Sequence, residues 1–429
     1  MRKRLILLLA GLAALTATAQ PTLDDCRRAA REHYPLVRRY ELIEASQDFT
    51  LERLSRAFLP QVSLSLQGTL QSGVPELPGH LKSLLESQGQ AVEGLHHGQY
   101  RAQLDVTQTV WDGGRNRAQR REAAAETDVS RRQTDVEIYR LYARVDELFF
   151  GLLLIERQTA INRLLTDLLA SNRRQMEAHR RHGTATQADV DAVEAEWVAA
   201  RQQAVELRAA KERYAAMLSL LTGLDVPADS TLPCPPAIRP ATHAVRRPEL
   251  TLFDARSLLA DARKHSLDAA LRPRVDAFAQ GYYGYPGMNM FDDMMRYRLS
   301  LNGLVGIRMS WNIGALYTRR ADLAALDNER EQIRTERETF LFNNRQDVMR
   351  LRKEAERLEK LRPGDAELVR LRASIRQAAE AKLRGGVIDA DALLGKITDE
   401  HRARVEASVH DIELLKTLYA LQILTQSPI

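Results

Sequence analysis

Cysteine and long apolar runs are both scarce in this sequence of 429 residues. The two cysteines, Cys26 and Cys234, are compatible either with one intramolecular disulfide or with two free thiols. Beyond the N-terminal leader no run of about 18 apolar residues remains, which excludes a transmembrane helix there. Zinc-ligand spacings, HExxH, phosphate-binding loops, dinucleotide fingerprints and nucleophile–base motifs are all missing. The sequence therefore predicts no enzyme, no cofactor and no metal.

The first 19 residues are typical of a secretory leader. A basic start, MRKR, precedes an apolar run and an A-x-A cleavage site at 17–19. We predict a signal peptide at 1–19 and a mature chain that begins near Gln20. Loss of this leader lowers the formal charge from +5 to +2. A charge so close to balance gives no reason to expect nucleic acid as a partner.

Four stretches alternate apolar with polar residues, which predicts β-strands. They lie at about 59–71, 99–111, 273–285 and 297–311. Each is long enough to cross a bilayer as a tilted strand of roughly 9–11 residues. Each also has one apolar and one polar side, as a strand between lipid and a lumen requires.

Long charged helices follow the second and the fourth strand. We predict one helical hairpin at about 114–222 that turns at 183, and another at about 315–425 that turns at 385. The first arm of the first hairpin has no proline and would form a rod of roughly 100 Å, which indicates a coiled coil. We expect the second hairpin to be interrupted near Pro363.

The order of these elements occurs twice, which indicates a duplicated structural unit. We place the first repeat at 20–225, a proline-rich linker at 226–248 and the second repeat at 249–429. Landmarks separated by roughly 200 residues are Pro60 and Pro273, Trp111 and Trp311, and Gly183 and Gly385. The predicted fold class is a mixed α+β membrane protein, built twice from helix, two strands and a long helical hairpin.

Four strands per chain require an oligomer in any form that crosses a membrane, because an open sheet edge leaves backbone groups unpaired in lipid. Three copies give twelve strands, within the range of outer-membrane barrels. Two copies give eight strands, and side chains would fill so narrow a barrel. We therefore predict a homotrimer that shares a 12-stranded outer-membrane β-barrel.

The residues after the second and fourth strands fit this interpretation. Trp111 and Trp311 stand where a strand would leave the bilayer, a position that aromatic rings favour. Gly113, Gly114 and Gly314 follow them and would allow the chain to bend from strand into helix. The alternative is that both tryptophans pack inside a soluble core.

Several segments resemble the TolC-type outer-membrane efflux proteins: FLPQVSLSLQGTL, QTVWDGGRNRAQRREAAAE, RHGTATQADVDAVEAEWVAARQQ and LTGL. The second half is similar but looser, with WNIGAL in place of WDGGRN. The resemblance implies a trimer in the outer membrane of a Gram-negative bacterium, surrounded by outer-membrane lipid. Its barrel would continue into an α-helical barrel that extends far into the periplasm.

The same resemblance implies the exit duct of a tripartite efflux or type I secretion system. Such a duct passively receives substrates from a periplasmic adaptor (membrane fusion) protein and an inner-membrane pump of the RND or ABC type. The resemblance places the adaptor contact at the two hairpin turns, on Gly183, Thr184, Asp189, Val190, Gly385 and Gly386.

The resemblance also implies a gate at the second turn, where Asp391 from three copies would form one ring of charge. A further gate aspartate is expected three residues later, but Leu394 stands there. Asp189 and Asp391 each follow the first glycine of their turn by six residues. Both are also explained by a purely structural role, since an acid stabilises the start of a helix.

Two loops and one helix end carry metal-binding residue types. Four methionines lie in the Met288–Met295 loop and are able to bind a soft ion such as Cu(I), although a flexible loop outside the cell is the simpler interpretation. The same holds for three histidines of the first loop, whereas two histidines near the first hairpin turn are one helical turn apart and are expected to be solvated helix residues. These are His80, His96 and His97, and His179 and His182.

Two other classes of protein compete with the duct. A periplasmic adaptor also contains long helical hairpins, but it would carry lipoyl-like β-halves and no paired membrane strands. A soluble coiled-coil scaffold would fold the alternating stretches into a small periplasmic sheet. Of the three, only the duct is an integral outer-membrane protein, so cell fractionation distinguishes it from the others.

Overall fold

The computed structural model of the protein describes residues 20–92, 94–239 and 245–425. The predicted signal peptide lies outside the described residues. Helices and strands are numbered here in chain order. They are α1 Leu23–His33, α2 Arg38–Arg56, β1 Gln61–Leu70, α3 Gly79–Ser87, β2 Gly98–Trp111, α4 Arg115–Arg181, α5 Gln187–Thr222, α6 Pro248–Ala270, β3 Arg274–Tyr285, α7 Met290–Met295, β4 Ser300–Ser310, α8 Ala315–Arg384 and α9 Ala390–Thr425.

The chain divides into two compact units, and each unit draws on both halves of the sequence. The strand unit comprises the described residues of Leu42–Ser130 and Asp254–Arg334. The helical unit comprises those of Met1–Glu41, Arg131–Phe253 and Thr335–Ile429. The duplication seen in the sequence therefore does not correspond to two separately folded bodies.

The strand unit is organised around one four-stranded antiparallel sheet in the order β1-β2-β3-β4. In the first hairpin β1 pairs with β2, from Gln61 opposite Thr107 to Leu70 opposite Gly98. The pairing of β2 with β3 then joins the two repeats across more than 160 residues of sequence, with a register shift next to Trp111. β4 completes the sheet, so that both hairpins share one continuous ladder.

The register aligns the alternating patterns of all four strands, so one face of the sheet is mainly apolar and the other mainly polar. The exceptions are Gln108 on the apolar face and Phe278 and Leu304 on the polar face. The apolar face carries Val62, Leu64, Leu66, Ala102, Leu104, Val106, Ala277, Ala279, Tyr283, Leu301, Val305, Ile307 and Met309. It is uncovered in the single chain: Leu301 and Val305 are each 82% exposed. The polar face carries Gln61, Ser63, Ser65, Gln67, Arg101, Gln103, Asp105, Gln280, Tyr282, Asn302 and Arg308.

The helical unit contains two antiparallel hairpins: α5 pairs with α4 from Arg131 onward, and α9 pairs with α8 from Thr335 onward. Along α4, apolar residues recur at three- and four-residue steps and are buried, as at Leu141, Val145, Phe149 and Leu152. They pack with residues of α1, α5 and α9 and of the segment after α5 into the largest cluster of the unit. Each fully buried side chain of this kind contributes roughly 1.5–3 kcal/mol.

The helix break predicted near Pro363 is wrong, because α8 runs without interruption through that residue. Proline removes one backbone hydrogen bond from a helix, which favours a kink. Here the helix is held to α9 on both sides of the proline. Arg362 Nε lies 2.7 Å from Asp411 Oδ1, and His410 Nδ1 lies 2.8 Å from Asp365 Oδ2.

The two cysteines are free thiols, so the alternative with one disulfide is not formed in this structure. Cys26 is buried in the main helical cluster, and this burial raises the pKa of its thiol to about 12. Cys234 is exposed. Separately, no helix of the described chain combines the length and the apolar character needed to cross a membrane.

Candidate functional site

The turn between α4 and α5 is held by glycine and by a capping box. Gly183 has φ +74°, the left-handed conformation that glycine adopts without strain. The Thr184 amide closes the end of α4 by donating to the His179 carbonyl at 2.9 Å. Thr186 then caps α5: its hydroxyl accepts from the Asp189 amide at 3.2 Å, and its amide donates to the Asp189 carboxylate at 2.7 Å.

These hydrogen bonds identify what Asp189 does within the chain. The Thr186 amide and hydroxyl both donate to Asp189 Oδ2, and they hold the pKa of this carboxyl below its ordinary value of 3.8. Asp189 is therefore ionised at neutral pH and stabilises the first turn of α5. The sequence indicates this structural role for Asp189, but Thr186 was not predicted as its partner.

The turn between α8 and α9 has the same backbone geometry as the first turn. Its left-handed glycine lies one residue later in the sequence than predicted. Gly386 has the positive φ, +68°, whereas Gly385 does not adopt a left-handed conformation. The Val387 amide donates to the Lys382 carbonyl at 2.9 Å, which matches the hydrogen bond from the Thr184 amide to the His179 carbonyl in the first turn. Gly183 therefore corresponds to Gly386, and the equivalence of Gly183 with Gly385 that the sequence suggested is wrong.

The correct register changes the assignment of the acids. Asp389 is the residue that caps α9, because its carboxylate accepts from the Ala392 amide at 2.8 Å. Asp391, the predicted gate residue, lies in the first turn of α9 and is exposed. Among the described residues its side chain has no hydrogen bond or ion pair. Sequence reasoning missed Asp389, although an aspartate three residues before an amide of the first turn is a recognisable cap.

Below the two turns, α4, α5, α8 and α9 pack together around one apolar cluster. Val190, one of the predicted contact residues, is buried in it and does not face solvent. Leu394 is also part of the cluster and only 9% exposed. An aspartate at that position would be buried among apolar side chains, which is costly for a charge without a partner. Packing thus accounts for leucine there.

An ion-pair network adjoins the cluster and joins α8 to α9. The Glu400 carboxylate is almost fully buried and accepts hydrogen bonds from Arg376 and from Arg404, the latter at 2.8 Å. Burial alone would raise the pKa of Glu400, but the two guanidinium groups outweigh it and hold the pKa below its ordinary value. Glu400 is therefore charged at neutral pH and cross-links the second hairpin.

The turn from β2 into α4 requires glycine. Gly113 and Gly114 have φ +71° and +88°, and a Cβ on Gly113 would lie 2.7 Å from the Cβ of Arg272. The Asp112 carboxylate accepts from the Gly114 and Asn116 amides at 2.9 and 2.6 Å and so caps α4. Asp112 was not predicted as this cap from the sequence.

The corresponding turn from β4 into α8 does not require glycine. Gly314 does not have a left-handed φ, and the nearest group to an added Cβ would be Asn312 Oδ1 at 3.4 Å. A hinge role that depends on glycine is thus not required at Gly314. Trp111 and Trp311 are 48% and 49% exposed at the ends of their strands, and the Trp311 indole donates to the Leu271 carbonyl at 2.9 Å.

The two loops with potential metal ligands pack on each other within the strand unit. Met294 is buried with Leu95 and Tyr285, and His96 stacks 4.6 Å from the ring of Tyr297. Within the described ranges, no group of three or more His, Cys, Asp or Glu side chains is arranged to hold a metal ion. His179 Nδ1 lies 3.0 Å from the Thr184 hydroxyl in the first helix turn. A local packing role accounts for His96, His179 and Met294.

The family model of the outer membrane efflux proteins matches residues 39–224. The resemblance to the outer-membrane efflux proteins is confirmed. The match includes the first sheet hairpin, the Gly113 turn and the first helical hairpin with its Gly183 turn, and it covers less than half of the 429 residues. A search of curated protein sequences finds no match.

Solved structures of channel proteins share the fold over nearly the whole chain. The outer-membrane channel OprN has a TM-score of 0.67 at 18% identity, with 95% of this chain and 90% of that chain covered. The outer membrane protein VceC from Vibrio cholerae has 0.65 at 13%, with 93% and 96% covered. The MtrE outer membrane channel of Neisseria gonorrhoeae, in its open state, has 0.64 at 16%, with 95% and 89% covered. At these identities the likeness establishes the fold, including the second repeat that the family model does not match.

Proposed function

We propose that three copies of the chain form the outer-membrane exit duct of a tripartite efflux or type I secretion system. One observation carries this proposal: the four-stranded sheet is amphipathic across all strands and its apolar face is uncovered. Such a face suits contact with lipid, and the opposite face suits an aqueous lumen. The family match and the shared fold of channel proteins support this reading of the sheet.

Trimer formation follows from the free edges of the sheet. β1 and β4 are the edge strands, and each has unpaired backbone groups along one side. In lipid these groups have no water to bond, so the edges of neighbouring copies must pair. Three copies would close a 12-stranded barrel in the outer membrane, and their helical units would line a conduit in the periplasm.

The mass and conductance of the purified protein test the duct. We expect the protein in the outer-membrane fraction, with three times the mass of one chain by light scattering in detergent and discrete conductance steps in planar bilayers. A monomer that stays soluble without detergent and gives no conductance would refute the duct. It would favour the scaffold, in which the sheet is a periplasmic one.

We also propose that the two helix turns contact a periplasmic adaptor, which would connect the duct to an RND or ABC pump. The exposed groups available there include Gly183, Thr184, Gly385, Gly386 and Val387, the last of which is 71% exposed. An apolar side chain so exposed beside a rigid glycine turn suits a protein contact. Val190 is buried and would support the contact from below.

Asp391 is proposed as the gate residue. It is exposed and its charge has no partner in the described chain, so three copies around an axis would form a ring of charge. Asp391→Asn is expected to change the ion selectivity or conductance of the trimer. Asp389→Asn is the matched control, since asparagine keeps the cap while the same charge is lost two residues away. Equal effects of both variants would refute a specific role for Asp391.

A further inference from the structure

Two arginines on the polar face of the sheet are stacked on aromatic rings. The guanidinium carbon of Arg101 lies 4.3 Å from the ring centroid of Tyr282, and that of Arg308 lies 4.6 Å from the ring centroid of Phe278. Both arginines are exposed. Within the described residues, neither has an acidic partner or a hydrogen bond. Both therefore present a full, uncompensated positive charge to solvent.

The stacks are built into the register of the sheet. Phe278 stands opposite Gly306, where a Cβ would come within 3.0 Å of the phenyl ring, so glycine leaves space for the ring. Arg308 is two residues along β4 and lies over that ring. A guanidinium held flat against a ring keeps its N–H donors directed outward in its own plane. Such a group can bind an anion and lose little side-chain freedom.

The acidic residues of this face do not cancel these charges. Asp276 is almost fully buried and pairs with Arg274 at 2.9 Å, so that pair is neutral. Asp105 accepts amide hydrogen bonds from Gln103 at 2.8 Å and from Gln280 at 2.6 Å. These neutral amide groups satisfy the hydrogen-bonding capacity of the Asp105 carboxylate but do not neutralise its negative charge. Two unpaired arginines against one such aspartate give the face a net charge of +1 per copy.

The charges lie at separate levels along the strands. Arg101 stands opposite Gly284, and Arg308 stands opposite Asp276 on the same strand. At roughly 3.3 Å per residue these two levels are about 26 Å apart. Asp105 stands opposite Gln280, between them. In a trimer each level would be repeated three times, which gives two basic rings that flank one acidic ring.

We propose that the polar face of the sheet favours anionic solutes, with Arg101 and Arg308 as the residues that determine this preference. The substrate class is small inorganic or organic anions, including carboxylates and phosphate esters. Charged groups along a wall raise the local concentration of counter-ions and so bias conduction. This inference rests on the proposed function, in which the polar face lines the lumen.

The permeability ratio of chloride to potassium in planar bilayers tests the inference. The reference protein is the Asp391→Asn trimer, which lacks the proposed acidic gate ring. With a KCl gradient across this trimer, the ratio is expected to exceed one. The double variant Arg101→Gln/Arg308→Gln should lower it by about twofold or more, because the face changes from net positive to net negative. The difference should be larger at 0.01 M salt than at 1 M, where the Debye length falls from about 30 to about 3 Å.

Matched variants distinguish charge from structure. Arg101→Lys/Arg308→Lys keeps the charge and should keep the ratio, and Asp105→Asn should raise it. Arg208→Gln removes a positive charge that is paired with Glu212 in the helical unit, and it should leave the ratio unchanged. An unchanged ratio in the glutamine double variant, with normal conductance, would overturn the inference and leave the duct standing. Failure of the native trimer to conduct would instead overturn the duct, and the inference with it.

Discussion

Replacing Gly386 with alanine is expected to loosen the turn between α8 and α9, whereas the same change at Gly385 is expected to have little effect. The two glycines are adjacent and both exposed, so side-chain burial does not distinguish them. They differ in backbone conformation: Gly386 has φ +68°, and Gly385 is outside the left-handed region. The comparison therefore isolates backbone strain.

The free-energy cost of each alanine substitution follows from the surroundings and the backbone conformation of the two glycines. No atom lies within 4 Å of a Cβ placed on Gly386, so an alanine there would meet no steric contact. What remains is the cost of the left-handed conformation itself, roughly 1–2 kcal/mol for a residue with a Cβ. At Gly385 the nearest atoms are helix carbonyl oxygens at 3.6 Å, an ordinary contact distance. Alanine there should change the local free energy by no more than about 0.5 kcal/mol.

Amide hydrogen exchange measured by mass spectrometry is the suitable assay, because it reports local opening and not only global unfolding. A loss of 1–2 kcal/mol should speed exchange at the end of α8 and the start of α9 by a factor of about 5–30. Gly386→Asn should lose less stability than Gly386→Ala, since asparagine tolerates the left-handed conformation. If Gly385→Ala accelerates exchange as much as Gly386→Ala, the register assigned to this turn is wrong.

Four further predictions concern individual residues. Thr186→Ala should weaken the start of α5 by about 1 kcal/mol, measured as faster amide exchange there; an unchanged rate would contradict the capping box. The pKa of Asp189 is depressed below 3.8, so its stabilisation is present above that pH and is lost as the pH falls through the depressed value; Asp189→Asn should abolish this pH dependence. A maleimide should label Cys234 alone in the native protein, because the Cys26 thiol is buried and its pKa is raised to about 12, and both thiols after denaturation. No labelled thiol after denaturation without reductant, as a disulfide would give, would contradict this. Pro363→Ala should raise the melting temperature of the helical unit, since it restores a helix hydrogen bond at an exposed position. Gly364→Ala is the control for helix propensity alone, and no gain beyond that control would contradict the cost assigned to Pro363.

The local elements were accessible from the sequence because each has a period of its own. Strict alternation at Val62, Leu64 and Leu66 indicates a strand, and the steps of three and four from Leu141 to Leu152 indicate a helix. The pairing of β2 with β3 was not accessible. It joins strands more than 160 residues apart, and nothing in the pattern of either strand specifies its partner. The mixing of both repeats in the strand unit depends on this pairing and was missed with it.

Pro363 and the buried charges show a second limit of sequence reasoning. A local rule predicts a break at Pro363, but contacts between α8 and α9 on both sides of it outweigh that tendency. From the sequence alone, Glu400 is likewise expected to be a solvent-exposed acid on a charged helix. It is in fact buried between two arginines, one of which lies on the neighbouring helix. Tertiary contacts decide both cases, and such contacts leave no periodic signal.

The one-residue difference between the two helix turns bears directly on the proposed gate. Equal spacing from the first glycine suggested that Asp189 and Asp391 are equivalent, yet Asp189 is the third residue of α5 and Asp391 the second residue of α9. Asp189 is bound to its cap, so its carboxylate already has partners within the chain. In the second turn Asp389 supplies the cap, and the carboxylate of Asp391 has none among the described residues. The two repeats thus use the same backbone turn differently. An acid stabilises the helix start in both, but the further acid of the first turn, Asp191, already accepts from the Gln187 side-chain amide at 2.7 Å. The further acid of the second turn, Asp391, stays available for a neighbouring copy or a passing ion.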